Sequence, residues 1–502
     1  MNIYYKSKYQ KITYKEKWHK LLLRFMKFVS KTKLVKYFSV FDRFHFTSKD
    51  KSKKFNKSFL DYSKKEISFR NIEFIDVCEI DNLKKVERQI LRIIDKNNSY
   101  TLFSSGKKLP ASKVSEIKEN LQNFRMQYGR ASQGKLFSIK NDKPSHHNDL
   151  YENVYFSYFK TFENLFVLRL EVKPSKIFHK YLEEIISSKT VPKDKIIVSH
   201  FRDFLRTRTV FAGYKTAGNQ KEEAFEHLIY DLNQQLKKSF LNGFNGLFSK
   251  KKIRNPYISY FNSKYELDKN DFRKGFGILD TSHNSDIYYD QKFCYYVITP
   301  STYSKNQVGL KVLAENDSFP EERDEMKSIY KYSFSNTIIR SWSVINYLQK
   351  VHNDLNLLRK TVYSFINSNS KLKFRKQIRI RVNLSKEKIK LKRIKNEFSK
   401  KIAKWYITDS EYETRNLCAI NDNWSNSFNY FDFAKSSVKY FVKDSETQIC
   451  ELDDYFNEIS SINNVKLNYR FQLIAVGLTI LGLILALASA ENIVKLIKSI
   501  IK

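Results

Sequence analysis

FQLIAVGLTILGLILALASA, residues 471–490, is a run of 20 residues without a charge, closed by Arg470 before it and Glu491 after it. At 1.5 Å rise per residue a helix of this length spans roughly 30 Å, the hydrocarbon thickness of a bilayer. The core helix of a soluble protein is the other reading of an apolar run, but so long an uncharged stretch argues for lipid. The sequence therefore predicts one membrane-spanning helix, and the remaining chain is read outward from it.

The next residues, ENIVKLIKSIIK (491–502), place Ile493, Val494, Leu496, Ile497, Ile500 and Ile501 on one helical face. Lys495, Lys498 and Lys502 fall on the other. That pattern predicts a short cationic amphipathic tail at the lipid surface. Within the run itself Gln472, Ala475, Thr479, Gly482, Ala486 and Ser489 recur at three- and four-residue steps, with Asn468 extending the stripe upstream. Small residues at this period let helices approach closely in lipid, which predicts self-association into a homo-oligomer. Lining of a pore by Gln472, Thr479 and Ser489 is the alternative.

Lys466 and Arg470 flank one end and three lysines the other, so flanking charge does not fix orientation. The first residues, MNIYYKSKYQKITYKEKWHK, lack the apolar core of a secretory signal. The expectation is a single-pass, tail-anchored protein with the bulk of the chain in the cytoplasm.

Upstream of the run, residues 316–470 read as long helices. Ser318 and Glu321 have capping-box spacing around Pro320. Ile338, Ile345, Leu348, Leu355, Leu358, Val362 and Phe365 form one heptad-like stripe. Leu391, Ile394, Phe398, Ile402 and Trp405 form a second; Val438, Val442, Ile449, Leu452, Phe456 and Ile459 form a third, aimed at the apolar run. Three antiparallel helices in a coiled-coil stalk account for all three.

Between the first two stripes lies the most basic part of the chain, KLKFRKQIRIRVNLSKEKIKLKRIKNEFSKKIAK (371–404). Arg375, Arg379 and Arg381 make it a candidate surface for an anionic ligand: nucleic acid, another polyanion or lipid head groups. The competing reading is internal. The third stripe's helix carries Asp444, Glu446, Glu451, Asp453, Asp454 and Glu458, which could pair with Lys388, Lys392, Arg393, Lys395 and Lys400 and fix the register. The alternation Leu372, Phe374, Ile378, Ile380, Val382, Leu384 predicts an edge strand with a basic face.

The segment YFNEISSINNVKLNYRFQLIAVGLTILGLILAL (455–487), together with the order of domains, resembles the CorA-type magnesium channels. In that family a cytosolic α/β domain is followed by stalk helices, the last of which enters the bilayer. The resemblance covers roughly the final 60 residues and implies cation transport. The chain has Ala488-Ser489-Ala490 where the family has Gly-Met-Asn, and 12 residues follow where the family has a second membrane helix. No functional residue of the family carries over.

Residues 61–315 mix strand-like segments (ISFRNIEFIDVC, NLFVLRLEVK, KIIVSHF, KFCYYVITP, VGLKVLAEN) with helix-like ones (KVSEIKENLQNFRMQY, SKIFHKYLEEIISS, KEEAFEHLIYDLNQQLKKSF). This interleaving predicts an α+β or α/β domain. Gly129, Gly134 and Lys135 have the spacing of a phosphate-binding loop, but Leu136 stands where the magnesium-holding Ser or Thr belongs and the preceding segment is helix-like. Gly129 reads instead as a helix stop. His146, His147 and Asp149 lie in a polar turn, KNDKPSHHND, and read as a solvated loop more readily than a metal site. Arg202, Arg206 and Arg208 could clamp an anion or pair with nearby carboxylates.

In the N-terminal arm, residues 1–60, Trp18, Leu21, Leu22, Phe25, Met26, Phe28 and Val29 face away from Lys17, Lys20, Arg24, Lys27 and Lys31. This is a cationic amphipathic helix, fit to lie on a membrane or to cap a core.

The full chain of 502 residues carries a formal net charge of +38, which draws it toward polyanions. Four dispersed cysteines form no CxxC pair, so a disulfide framework or zinc ribbon is not predicted and a reducing compartment fits. No nucleophile–base–acid arrangement emerges from the spacing, and the residues assign no particular cofactor. The function expected is a basic cytosolic domain that senses a cue. A helical stalk couples it to a self-associating membrane helix, as in a membrane-permeabilising effector or ion channel. A membrane-tethered nucleic-acid-binding protein is the alternative.

Overall fold

The structure is a computed structural model. It describes residues 67–79, 83–96, 111–123, 133–140, 149–162, 165–187, 193–197, 211–215, 217–241, 244, 246–249, 254–263, 287–290, 295–298, 309–314, 325–367, 374–405, 417–419 and 430–501, with Leu21 and Arg24.

In chain order the elements are β1 (Ile67–Glu79), α1 (Leu83–Lys96), α2 (Ala111–Asn123), β2 (Gln133–Lys140), β3 (Tyr151–Phe162), β4 (Leu165–Pro174) and α3 (Lys176–Ser187). There follow β5 (Lys193–Ile197), β6 (Phe211–Lys215), α4 (Ala217–Ser239), β7 (Tyr257–Ser263), β8 (Ile287–Asp290), β9 (Tyr295–Ile298) and β10 (Gly309–Ala314). Three long helices, α5 (Glu325–Asn367), α6 (Phe374–Trp405) and α7 (Tyr430–Ile501), complete the chain, with the short strand β11 (Leu417–Ala419) before the last.

Among the described residues nine strands form one mixed sheet in the order β11-β8-β9-β10-β7-β1-β4-β3-β2; β5 and β6 form a separate pair. Among the described strands only the β10–β7 ladder is parallel. The domain is thus α+β, as the interleaved pattern predicts.

β-branched and aromatic residues suit the pleat of the central strands, where they pack on both sides. On one face Ile72 and Phe74 of β1 join Phe166, Leu168 and Leu170 of β4 and Phe156 of β3 in the main core. Helix α4 covers this face with Phe225, Leu228, Ile229, Leu232 and Leu236, a stripe at helical spacing, all fully buried. The other face is closed too: Ile75, Val77, Val167, Ile258, Leu310 and Val312 are buried. A sheet covered on both sides reads as continuous apolar strands, as NLFVLRLEVK does.

Chain contacts divide the protein into two compact units, 1–347 with 397–438 and 348–396 with 439–502. The first holds the sheet. The second comprises the later part of α5, the first part of α6 and most of α7.

One expectation changes here. The alternation at 372–384 is not an edge strand: from Phe374 onward it is helix α6. Ile380 and Leu384, four apart, are buried while Ile378 and Val382 are exposed, so the helical period decides the packing. The third stripe and the apolar run share one element, because α7 runs 72 residues without interruption. No proline occurs in it to break the hydrogen-bond ladder.

The loop-like spacing at Gly134 and Lys135 lies within β2, paired to Tyr158 and Ser157 of β3. An edge strand offers no helix N-terminus to a phosphate.

Candidate functional site

The apolar run lies inside α7. Asn468–Ala486, 19 residues of mean hydropathy 1.8, is the single candidate membrane-spanning helix among the described residues, and none of it is buried. From Phe471 to Leu485 every large apolar side chain is between 53 and 65 % exposed. An apolar surface of that extent is a feature of membrane or partner contact rather than of a solvated helix. Thr479 returns its hydroxyl to the Ala475 carbonyl at 2.8 Å, which satisfies its polar group within the helix. A Cβ added at Gly477 or Gly482 meets nothing within 4 Å. Gln472, Ala475, Gly482 and Ala486 lie along the same helix, and Ser489 follows within α7.

The helices above this segment are tied by side chains. In the second unit Leu348, Leu355 and Val362 of α5, Ile380, Leu384, Leu391 and Ile394 of α6, and Val442, Ile449, Leu452 and Phe456 of α7 are buried. Ion pairs mark the register. Lys388 of α6 meets Asp453 at 2.6 Å and Lys395 meets Glu446 at 2.7 Å. Both pairings join groups that the sequence singles out as candidate partners. On the other side Arg359 of α5 meets Glu451 at 2.8 Å, and His352 Nδ1 lies 2.9 Å from Asp444. With the ring proton donated from Nδ1 to Asp444, Nε2 accepts from Asn356 at 2.7 Å. The two α5 partners were not foreseen, because Arg359 and His352 sit in a stripe read only for its apolar residues.

Arg379 and Arg381 are exposed on α6; Arg381 donates to Asn457 at 3.4 Å. Arg375 lies in the first turn of the same helix. The arginines at 202, 206 and 208 lie outside the described residues. So do the histidines at 146 and 147, and Trp18, Lys20, Leu22, Phe25 and Lys27 of the amphipathic arm. Of that arm Leu21 and Arg24 are described; both are helical and exposed.

Among the described residues of the sheet the charged side chains of Glu73, Asp76, Arg169 and Lys311 are buried, and sequence reading passes over all four. Glu73 of β1 is 2 % exposed, accepts from Arg169 of β4 and takes a hydrogen bond from Tyr260 of β7 at 2.9 Å. Burial raises its pKa to about 7, against the lowering effect of the Arg169 charge. Arg169 also lies 3.6 Å from Glu171, whose carboxylate accepts from Asn71 at 2.9 Å.

Asp76, on the opposite face, anchors the segment after α4. It accepts from the backbone N–H groups of Phe248 and Ser249 at 3.0 and 3.2 Å and from the Ser249 hydroxyl. Lys237 donates to the Phe248 carbonyl at 2.9 Å, and burial lowers its pKa to about 8. Gly246 lies against the Asp76 carboxylate so closely that a Cβ there would overlap it. With their oxygens engaged by protein donors, both groups serve as internal struts.

Among the described residues no three His, Cys, Asp or Glu side chains converge as a metal site. Cys78 and Cys450 are free thiols. No family model, no curated protein and no solved structure matches the chain. The resemblance to CorA-type channels therefore rests on the sequence features given above.

Proposed function

We propose that this is a membrane-anchored protein. Its α+β domain, on the cytosolic side, binds a cue, and the helices α5–α7 act as a stalk coupling that domain to a self-associating membrane segment. Clustering of that segment alters bilayer permeability, as in an effector or ion channel. The observation that carries the reading is the exposed apolar stretch Asn468–Ala486, continuous with a helix held by Lys388–Asp453 and Arg359–Glu451. Free Cys78 and Cys450 are in keeping with a reducing compartment.

The test is flotation of the full-length protein with vesicles, followed by alkaline extraction. The wild type should resist extraction. L478R/L481R should be released, since each arginine near a helix centre costs about 2.5–3.5 kcal/mol of insertion. A wild-type protein that stays soluble as a monomer without detergent defeats the reading.

The exposed basic residues of α6, Arg379, Lys386, Lys392 and Arg393 among them, favour one second reading, a membrane-tethered nucleic-acid-binding protein. Steep loss of oligonucleotide binding with rising salt would be its signature.

A further inference from the structure

The ion pairs and hydrogen bonds of the second unit also set axial levels. On α6 and α7, Lys395 meets Glu446, Lys388 meets Asp453 and Arg381 meets Asn457, so the two helices run antiparallel. On α5 and α7, His352 meets Asp444 and Arg359 meets Glu451, so these two run parallel. The end of α5 and the start of α6 therefore both lie toward the apolar segment. From Asn457 to Asn468, α7 advances roughly 16 Å, and from Arg381 back to Phe374, α6 advances roughly 10 Å the same way. Phe374 thus stops about 6 Å short of the level of Asn468.

Residues 374–381, FRKQIRIR, bring four positive charges and no negative one to this level. Lys371 and Lys373 precede them in sequence, and Tyr469 and Arg470 of α7 are exposed at the start of the apolar segment. Ile378 and Val382, at 46 and 47 % exposure, add apolar surface beside the arginines. A head-group layer is several ångströms deep, and the potential of an anionic surface persists for about 8–10 Å beyond it.

We propose that this end of α6, residues 374–381, is a binding site for anionic lipid head groups, positions 375 and 376 lying nearest the level of Asn468 along the helix and Arg379 one turn behind. The proposal rests on the reading that Asn468–Ala486 spans the bilayer. The site clamps the foot of the helical unit onto negatively charged membranes. The other half of α6 is equally basic but sits elsewhere: Lys392 and Arg393 lie roughly 25 Å farther from the lipid than Lys376.

This difference in level supplies the test. Full-length protein is reconstituted in phosphatidylcholine nanodiscs, and short-chain dioctanoyl phosphatidylglycerol is titrated in at low salt. Each basic residue at an anionic surface contributes about fivefold. R375Q/K376Q should thus weaken binding about 25-fold, the charge-conserving R375K/K376R should retain it, and K392Q/R393Q should leave it within about twofold. Equal losses in the two Gln pairs, matched by oligonucleotide binding, would overturn the proposal in favour of a nucleic-acid surface. Binding of glycerol phosphate as tight as that of the lipid would overturn it in favour of a soluble phosphate ligand. No loss in R375Q/K376Q overturns it alone. Failure of the wild type to enter neutral nanodiscs removes the spanning reading and this site together.

Discussion

Lys388 Nζ lies 2.6 Å from Asp453 Oδ2, joining α6 to α7 across 65 residues of sequence, and both side chains remain substantially exposed. The Lys388 pKa is raised by this hydrogen bond and by the Asp453 charge. Water screens such a pair, so its contribution is to alignment more than to stability.

Lys388→Glu should cost up to about 1 kcal/mol, and the exchange K388D/D453K should recover most of it. Denaturant titration of the full-length protein in detergent reads both. A double variant as unstable as the sum of its single changes would show that the two groups do not interact.

The buried Glu73 gives a pH dependence with a definite sign. Its folded-state pKa, raised by burial to about 7, lies above an unfolded value near 4.5. The folded state therefore keeps the proton that the unfolded chain gives up. The stability from this group is full below about pH 4.5 and declines as pH rises through about 7. Asp76, also raised by burial, adds in the same direction. Arg169→Leu removes the charge that partly offsets burial of Glu73. It raises the Glu73 pKa further, so it should destabilise by about 3–5 kcal/mol at pH 8, where folding must put a proton on Glu73, and by clearly less at pH 5, where the carboxyl is already protonated. Equal losses at the two pH values would contradict this account.

Gly246→Ala should lower stability by about 1–3 kcal/mol, because the added methyl overlaps the Asp76 carboxylate and pushes the 246–249 segment off β1. Thermal unfolding measures the loss. If the strain lies where the geometry places it, Asp76→Ala should make the glycine change nearly neutral while itself being costly.

Gly482→Leu separates contacts within the chain from contacts between chains. A side chain at 482 meets nothing in the protomer, and leucine favours the helix over glycine. The helix should therefore be retained by circular dichroism. If this face packs against a second copy, light scattering in detergent should show a shift toward smaller assemblies. An unchanged mass would remove the stripe from the association surface.

The long-period features were legible in the sequence. The uncharged run at 471–490 is legible from its length, and the stripes through Leu355 and Leu452 have enough repeats for burial to be read from spacing. Two pairings between acids on α7 and lysines on α6, Lys388–Asp453 and Lys395–Glu446, are legible as well, because the two helices carry faces of opposite charge. Short patterns misled. Six apolar residues alternating with basic ones around Ile380 mimic a strand, though a helix buries Ile380 and Leu384 together. Leu417–Ala419 is too short to have a period at all; it becomes a strand only because β8 offers it an edge. Glu73 and Arg169 stayed hidden for a different reason. A charge in an alternating strand ordinarily signals a solvated face, whereas here both faces of the sheet are covered.

Helix α7 passes from Tyr430, whose hydroxyl lies 3.0 Å from that of Ser341, to Ile501 without a proline or a break. Along that length the backbone N–H and C=O groups bond within the helix, so the segment Asn468–Ala486 presents no unpaired main-chain group of its own to a hydrocarbon layer.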